Sequence, residues 1–140
     1  KQAVFLEEST PLRTRYADLL RALNDPDPRR VDKAYDAILF DRGDALPDLI
    51  EAYTVYENDQ VLRFYIVQLM GFSEDPRAIP PVTLALADPD ALVRAEACRA
   101  LEDLRARDAQ AQLNERLEDL DPKVRSAAQE TLRALGGWRS

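Results

Sequence analysis

Residues 88–101 read DPDALVRAEACRAL, and 31 positions later residues 119–132 read DLDPKVRSAAQETL. Steps of 31 from Val93 land on Val31, Leu62 and Val124, and steps from Leu101 land on Leu39, Met70 and Leu132. Ala97 falls in register with Tyr35, Ile66 and Ala128, and Arg94 with Arg63 and Arg125. Within each copy the apolar residues follow helical spacing, as in Val124, Ala127, Ala128, Thr131 and Leu132. A period of this length marks supersecondary units that bury their apolar stripes only by stacking on neighbours. The chain is therefore expected to be an all-α solenoid of about four helical hairpins.

Composition narrows the class further. A chain of 140 residues with 46% hydrophobic and 32% charged residues can bury one core, so residues 1–140 are expected to form a single domain. Nine prolines against four glycines suit short helices with sharp corners. A net charge of -7 disfavours a nucleic-acid partner, because phosphate neutralisation supplies most of that affinity. Histidine is absent, which excludes His-based triads and His metal sites. Cys98 is the lone cysteine, which excludes an internal disulfide and suggests a reducing, cytoplasmic setting. Set among alanines in a helical pattern, it reads as a small core residue and not a reactive thiol. No apolar run approaches the roughly 20 residues of a membrane helix.

Along the chain, residues 1–10 read as an N-terminal cap with Val4, Phe5 and Leu6 buried. Thr10 and Pro11 start a helix expected to reach Leu23, and NDPDP at 24–28 stops it. A second helix covers 29–40 and is expected to end at Arg42 and Gly43. A third begins after Asp44, and a fourth, capped by Asn58 and Asp59, covers 60–70 before Gly71. The segments ALPDLIEAY (45–53) and AIPPVTLAL (78–86) match, including Pro47 and Pro80. Proline is tolerated only near a helix start, so helices three and five are expected to begin close to Ala45 and Ala78. Helices six to eight follow at 90–104, 109–117 and 122–135, and residues 136–140 form a tail in which Trp138 could cover the last hairpin.

The DP corner, the VR pair and the small alanines resemble HEAT-like repeats of the short type found in phycobilisome lyases, over roughly residues 12–136. The resemblance implies a right-handed superhelix, with the VR helices outside and their partner helices lining a concave face. It also implies a non-catalytic protein-interaction scaffold, with tetrapyrrole (bilin) lyase or lyase subunit as the alternative. The first repeat departs from the pattern, with Asp32 in place of the arginine.

Two sets of residues invite a functional reading. Arg63, Arg94 and Arg125 each follow an acid by six positions, namely Glu57, Asp88 and Asp119. A structural ladder of acid–arginine hydrogen bonds, tying corners together and to neighbouring repeats, is preferred over a phosphate-binding row, because a carboxylate accompanies every arginine. The acid clusters Glu7–Glu8, Asp25–Asp27, Glu102–Asp103 and Glu118–Asp119–Asp121 sit at corners and helix ends, where they serve as caps, and no calcium loop or glycine-rich phosphate loop is present. No catalytic, metal or cofactor residue is assigned. On the partner helices, Pro81 and Leu84 form an apolar centre flanked by Asp48, Glu51, Gln112 and Glu115, an arrangement suited to holding a protein or peptide.

Overall fold

The computed structural model describes residues 16–136, and these contain eight α-helices and no strand. They are α1 (Ala17–Ala22), α2 (Pro28–Phe40), α3 (Arg42–Val55), α4 (Gln60–Gly71), α5 (Ile79–Leu84), α6 (Ala91–Asp103), α7 (Gln110–Glu115) and α8 (Pro122–Ala134). Single 3₁₀ turns flank α5 and α7 on both sides. The expected N-terminal cap, the Thr10 and Pro11 helix start and the Trp138 tail lie outside the described residues.

The repeat is written into the corners. Asp27, Asp59, Asp90 and Asp121 cap α2, α4, α6 and α8, each accepting a hydrogen bond from a backbone N–H in the first turn. In three corners a second acid, Asp25, Asp88 or Asp119, accepts the N–H of the capping aspartate two residues on. This fixes the turn before the helix starts. The exits repeat too. Glu74, Arg105 and Gly136 lie 31 residues apart and all have positive φ, at 59°, 55° and 75°. After α6 the Arg105 N–H reaches the Glu102 carbonyl and the Ala106 N–H reaches the Leu101 carbonyl, the double bond of a Schellman ending.

The VR helices form the column. Helix α6 packs along α4 on one side and α8 on the other, and buries Val93, Ala95, Ala97, Cys98, Ala100 and Leu101. At Gly71 a Cβ would stand 2.7 Å from the Cβ of Ala100, so this glycine lets two helix backbones touch. The helix ends at this residue, as expected, and the glycine there serves close packing. The partner helices α3, α5 and α7 make little or no contact with one another. Helices crowd on the inside of a bend and spread on the outside. The VR helices therefore lie on the concave side and the partner helices on the convex side, which reverses the expected assignment.

Two further expectations are corrected at α3. The helix starts at Arg42, so Gly43 lies within it and does not end α2, and Pro47 sits inside it. An extra turn over residues 42–44 precedes the segment matched in α5. That turn gives up one backbone bond, since Pro47 has no N–H for the Gly43 carbonyl. Helix α5 keeps the expected start, with Pro80 in its first turn. In the first repeat Ala34 and Ile38 are buried while Tyr35 and Leu39 are only half-buried, so α2 joins the column loosely.

Candidate functional site

Arg63 and Arg94 each bridge two corners, with the side-chain bonds going to the acid of the next repeat and not to the acid six residues earlier. Arg63 donates from Nε and Nη2 to both oxygens of Asp88, at 2.8 and 3.0 Å, across 25 residues. Arg94 makes the same fork on Asp119, at 3.0 Å for each bond. The acid six residues earlier contributes its backbone carbonyl instead: Nη1 of Arg63, Arg94 and Arg125 donates to the carbonyls of Glu57, Asp88 and Asp119. Each arginine thus ties its own corner to the corner of the next repeat. The side chain of Glu57 stands outside the ladder, consistent with Asp32 occupying the place of the preceding arginine. Among the described residues Arg125 bonds only the corner carbonyls of Asp119 and Leu120.

These rungs are buried and saturated. The Arg63 side chain is 7% exposed and that of Asp88 1%. Burial pushes the Asp88 carboxyl up, but the bonds from Arg63 and Tyr53 outweigh it and hold the group below the ordinary carboxylate range. The Tyr53 hydroxyl donates to Asp88 at 2.5 Å. Arg116 adds a second cation to Asp119 at 3.1 Å. Sequence reasoning missed Tyr53 and Arg116, because neither falls on the 31-residue register of the arginines. With Arg63 and Arg94 spent on carboxylates, this row offers no open cation pair for a phosphate. Cys98 is buried beneath α8, and burial pushes its thiol up to about 12.

The structure brings together only part of the expected binding set. Leu84 is 74% exposed and shares a shallow cleft between α5 and α7 with Gln112. Pro81 is half-buried, and Asp48, Glu51 and Glu115 do not line that cleft. All six residues belong to partner helices, on the convex side.

A second apolar surface lies on the VR helices. Val61 on α4 and Leu92 on α6 are 42% and 55% exposed, beside the half-buried Phe64 and Tyr65. Tyr65 packs edge-on against Tyr35, with ring centroids 5.8 Å apart. Beneath them runs a polar line across three helices. The Tyr35 hydroxyl donates to Gln68 at 2.6 Å, Gln68 bonds Glu96, and Glu96 accepts from Arg99 at 3.3 Å. Burial raises the Glu96 carboxyl, only partly offset by Arg99 and Gln68.

Among the described residues no three His, Cys, Asp or Glu side chains gather as a metal site, and no helix is long and apolar enough to cross a membrane. The chain matches no curated protein. The model of the HEAT repeats matches residues 46–133, more than half of the chain and the part where the VR helices stack, so the chain belongs to the HEAT-repeat family.

Proposed function

We infer that this chain is a non-catalytic interaction module that presents the concave, VR-helix side of its solenoid to a protein or peptide partner. The observation that carries the reading is the placement of Val61 and Leu92. Both stay exposed on the helices that otherwise form the core, beside two aromatic rings, while Arg63 and Arg94 are committed to holding corners together. An apolar centre of this kind is where a binding surface concentrates its energy. The cleft at Leu84 is a second, smaller candidate on the opposite side. We read the 31-residue unit as the short type seen in phycobilisome lyases, working in the cytoplasm. That resemblance carries the repeat architecture; the bilin-lyase alternative gains no support from Cys98, whose thiol is buried and protonated.

A photo-crosslinking amino acid placed in turn at positions 61, 92, 84 and 48 tests the reading in extract of the native host. Polypeptide adducts are expected from positions 61 and 92, with none from position 48. Absence of adducts at every position would overturn the interaction reading, and adducts confined to position 84 would move the surface to the convex side.

A further inference from the structure

The apolar surface on the VR helices is one part of a longer trough. One depression, about 310 Å³, is lined by residues of α4 and α6 including Val61, Phe64, Tyr65 and Leu92. A second, about 280 Å³, lies between the start of α2 and α4 and includes Pro28 and Val31. Val61 and Tyr65 line both, so the two depressions meet along a single ridge. The trough therefore crosses the N-terminal ends of three successive VR helices.

Its charge is one-sided. Among the described residues the lining holds three carboxylates, Asp25, Asp32 and Asp90, and no lysine or arginine. Asp25 and Asp90 each commit one oxygen to a backbone N–H in their corners, which leaves the other available to the trough. Asp32 is exposed and carries no hydrogen bond or ion pair among the described residues. Its position is the one where later repeats place a ladder arginine. The first repeat has thus exchanged a structural cation for a free anion at the mouth of an apolar groove.

We propose that this trough holds a short cationic amphipathic segment of a partner protein, with apolar side chains seated on Val61, Tyr65 and Leu92 and flanking lysines or arginines facing Asp32 and Asp90. The proposal rests on the interaction reading above and names the class of partner. Charge complementarity selects the sign of the segment, since an anionic one would face three carboxylates without a compensating cation. The rings of Phe64 and Tyr65 add a face on which a lysine or arginine can lie. Three helices spaced about 10 Å apart give a trough of about 20 Å, which a helical segment of about 13 residues spans.

The test uses two synthetic peptides of that length, with the same leucine and phenylalanine face and either lysines or glutamates opposite. Fluorescence anisotropy against the full chain is expected to show the lysine peptide binding at least about tenfold tighter than its glutamate twin, with the gap shrinking in high salt. Val61→Asp should weaken the lysine peptide about tenfold or more. Asp32→Lys, on an exposed position that leaves the fold unaltered, should weaken it several-fold and flatten the salt dependence. Should Val61→Asp fail to fold in a thermal melt, Asp32→Lys and Leu92→Asp decide the matter. Equal binding of the two peptides, or unchanged binding in these variants, would overturn the proposal. Loss of binding in Leu84→Asp alone would keep the interaction reading and discard the trough. No binding of either peptide overturns the trough and leaves the broader reading to the crosslinking experiment.

Discussion

The Arg63–Asp88 pair shows what a single residue contributes to this fold. Its carboxylate accepts from two guanidinium nitrogens, a phenol and a backbone N–H, so removing one partner strands a charge in the interior. Arg63→Ala is expected to cost about 3–5 kcal/mol, against less than about 1 kcal/mol for Arg125→Ala, whose bonds among the described residues go only to corner carbonyls. Urea denaturation of both variants checks this, and equal losses would mean that the interrepeat bond is not what Arg63 provides. The carboxylates also set the acid limit. Asp88 and Asp119 have folded pKa values held below normal, so near pH 4 the unfolded chain binds more protons than the native one. Their stabilisation is complete above the ordinary carboxylate pKa and is lost as pH falls from about 4 through the lower folded values. Glu96 has the opposite sign. Its raised pKa favours the native state at low pH and costs stability as the group ionises, so Glu96→Gln should stabilise the chain at pH 7 and lose that advantage in acid. Thermal melts from pH 3 to 8 would show the curves of wild type and variant converging in acid; parallel curves would contradict the assignment.

At the scale of the helix, α4 and α6 are held by close approach and by mid-column side chains. Met70→Ala and Leu101→Ala, both fully buried, should each cost about 2–5 kcal/mol in urea. Gly71→Ala should cost about 1–3 kcal/mol by forcing the backbones apart, and Ala100→Gly in that background should recover part of the loss, a double-mutant signature of contact. The column was legible in the sequence, because Leu62, Ile66, Met70 and their partners 31 residues on carry helical spacing and interval together. The start of α3 was not, since Pro47 lies inside a helix whose extra first turn is a tertiary accommodation. The ladder residues were legible but their partners were not. A pairing across 25 residues is set by the distance between stacked corners, which no local spacing encodes. The concave side was misread for a related reason. Both helices of a hairpin carry an apolar stripe, and only the unequal crowding of neighbours decides which way the stack bends.

Over the described residues, each hairpin packs mainly on its neighbours, so stability should be distributed along the stack and not held in common. Cys98 offers a way to measure that. The 31-residue register places Val67, Cys98 and Gln129 at one helical position, buried in α4 and α6 and exposed in α8. The position therefore faces the following repeat, and Cys98 is covered by α8, whose Thr131 hydroxyl donates to the Cys98 carbonyl at 2.9 Å. With its thiol pushed up to about 12, Cys98 is inert until α8 lifts away. The rate at which iodoacetamide labels it under native conditions then reports opening of the last hairpin. Leu132→Ala, fully buried in α8, should weaken that hairpin by about 2–5 kcal/mol and speed labelling at least about thirtyfold. Ile38→Ala is an equally buried truncation in α2, at the far end of the column. It should speed labelling less than about threefold, because α2 makes no substantial contact with the cover over Cys98 and the α4–α6 interface stays intact while the first hairpin frays. Comparable acceleration by the two variants would show that the stack opens as one cooperative unit, and the nearest-neighbour picture would then fail for a solenoid this short.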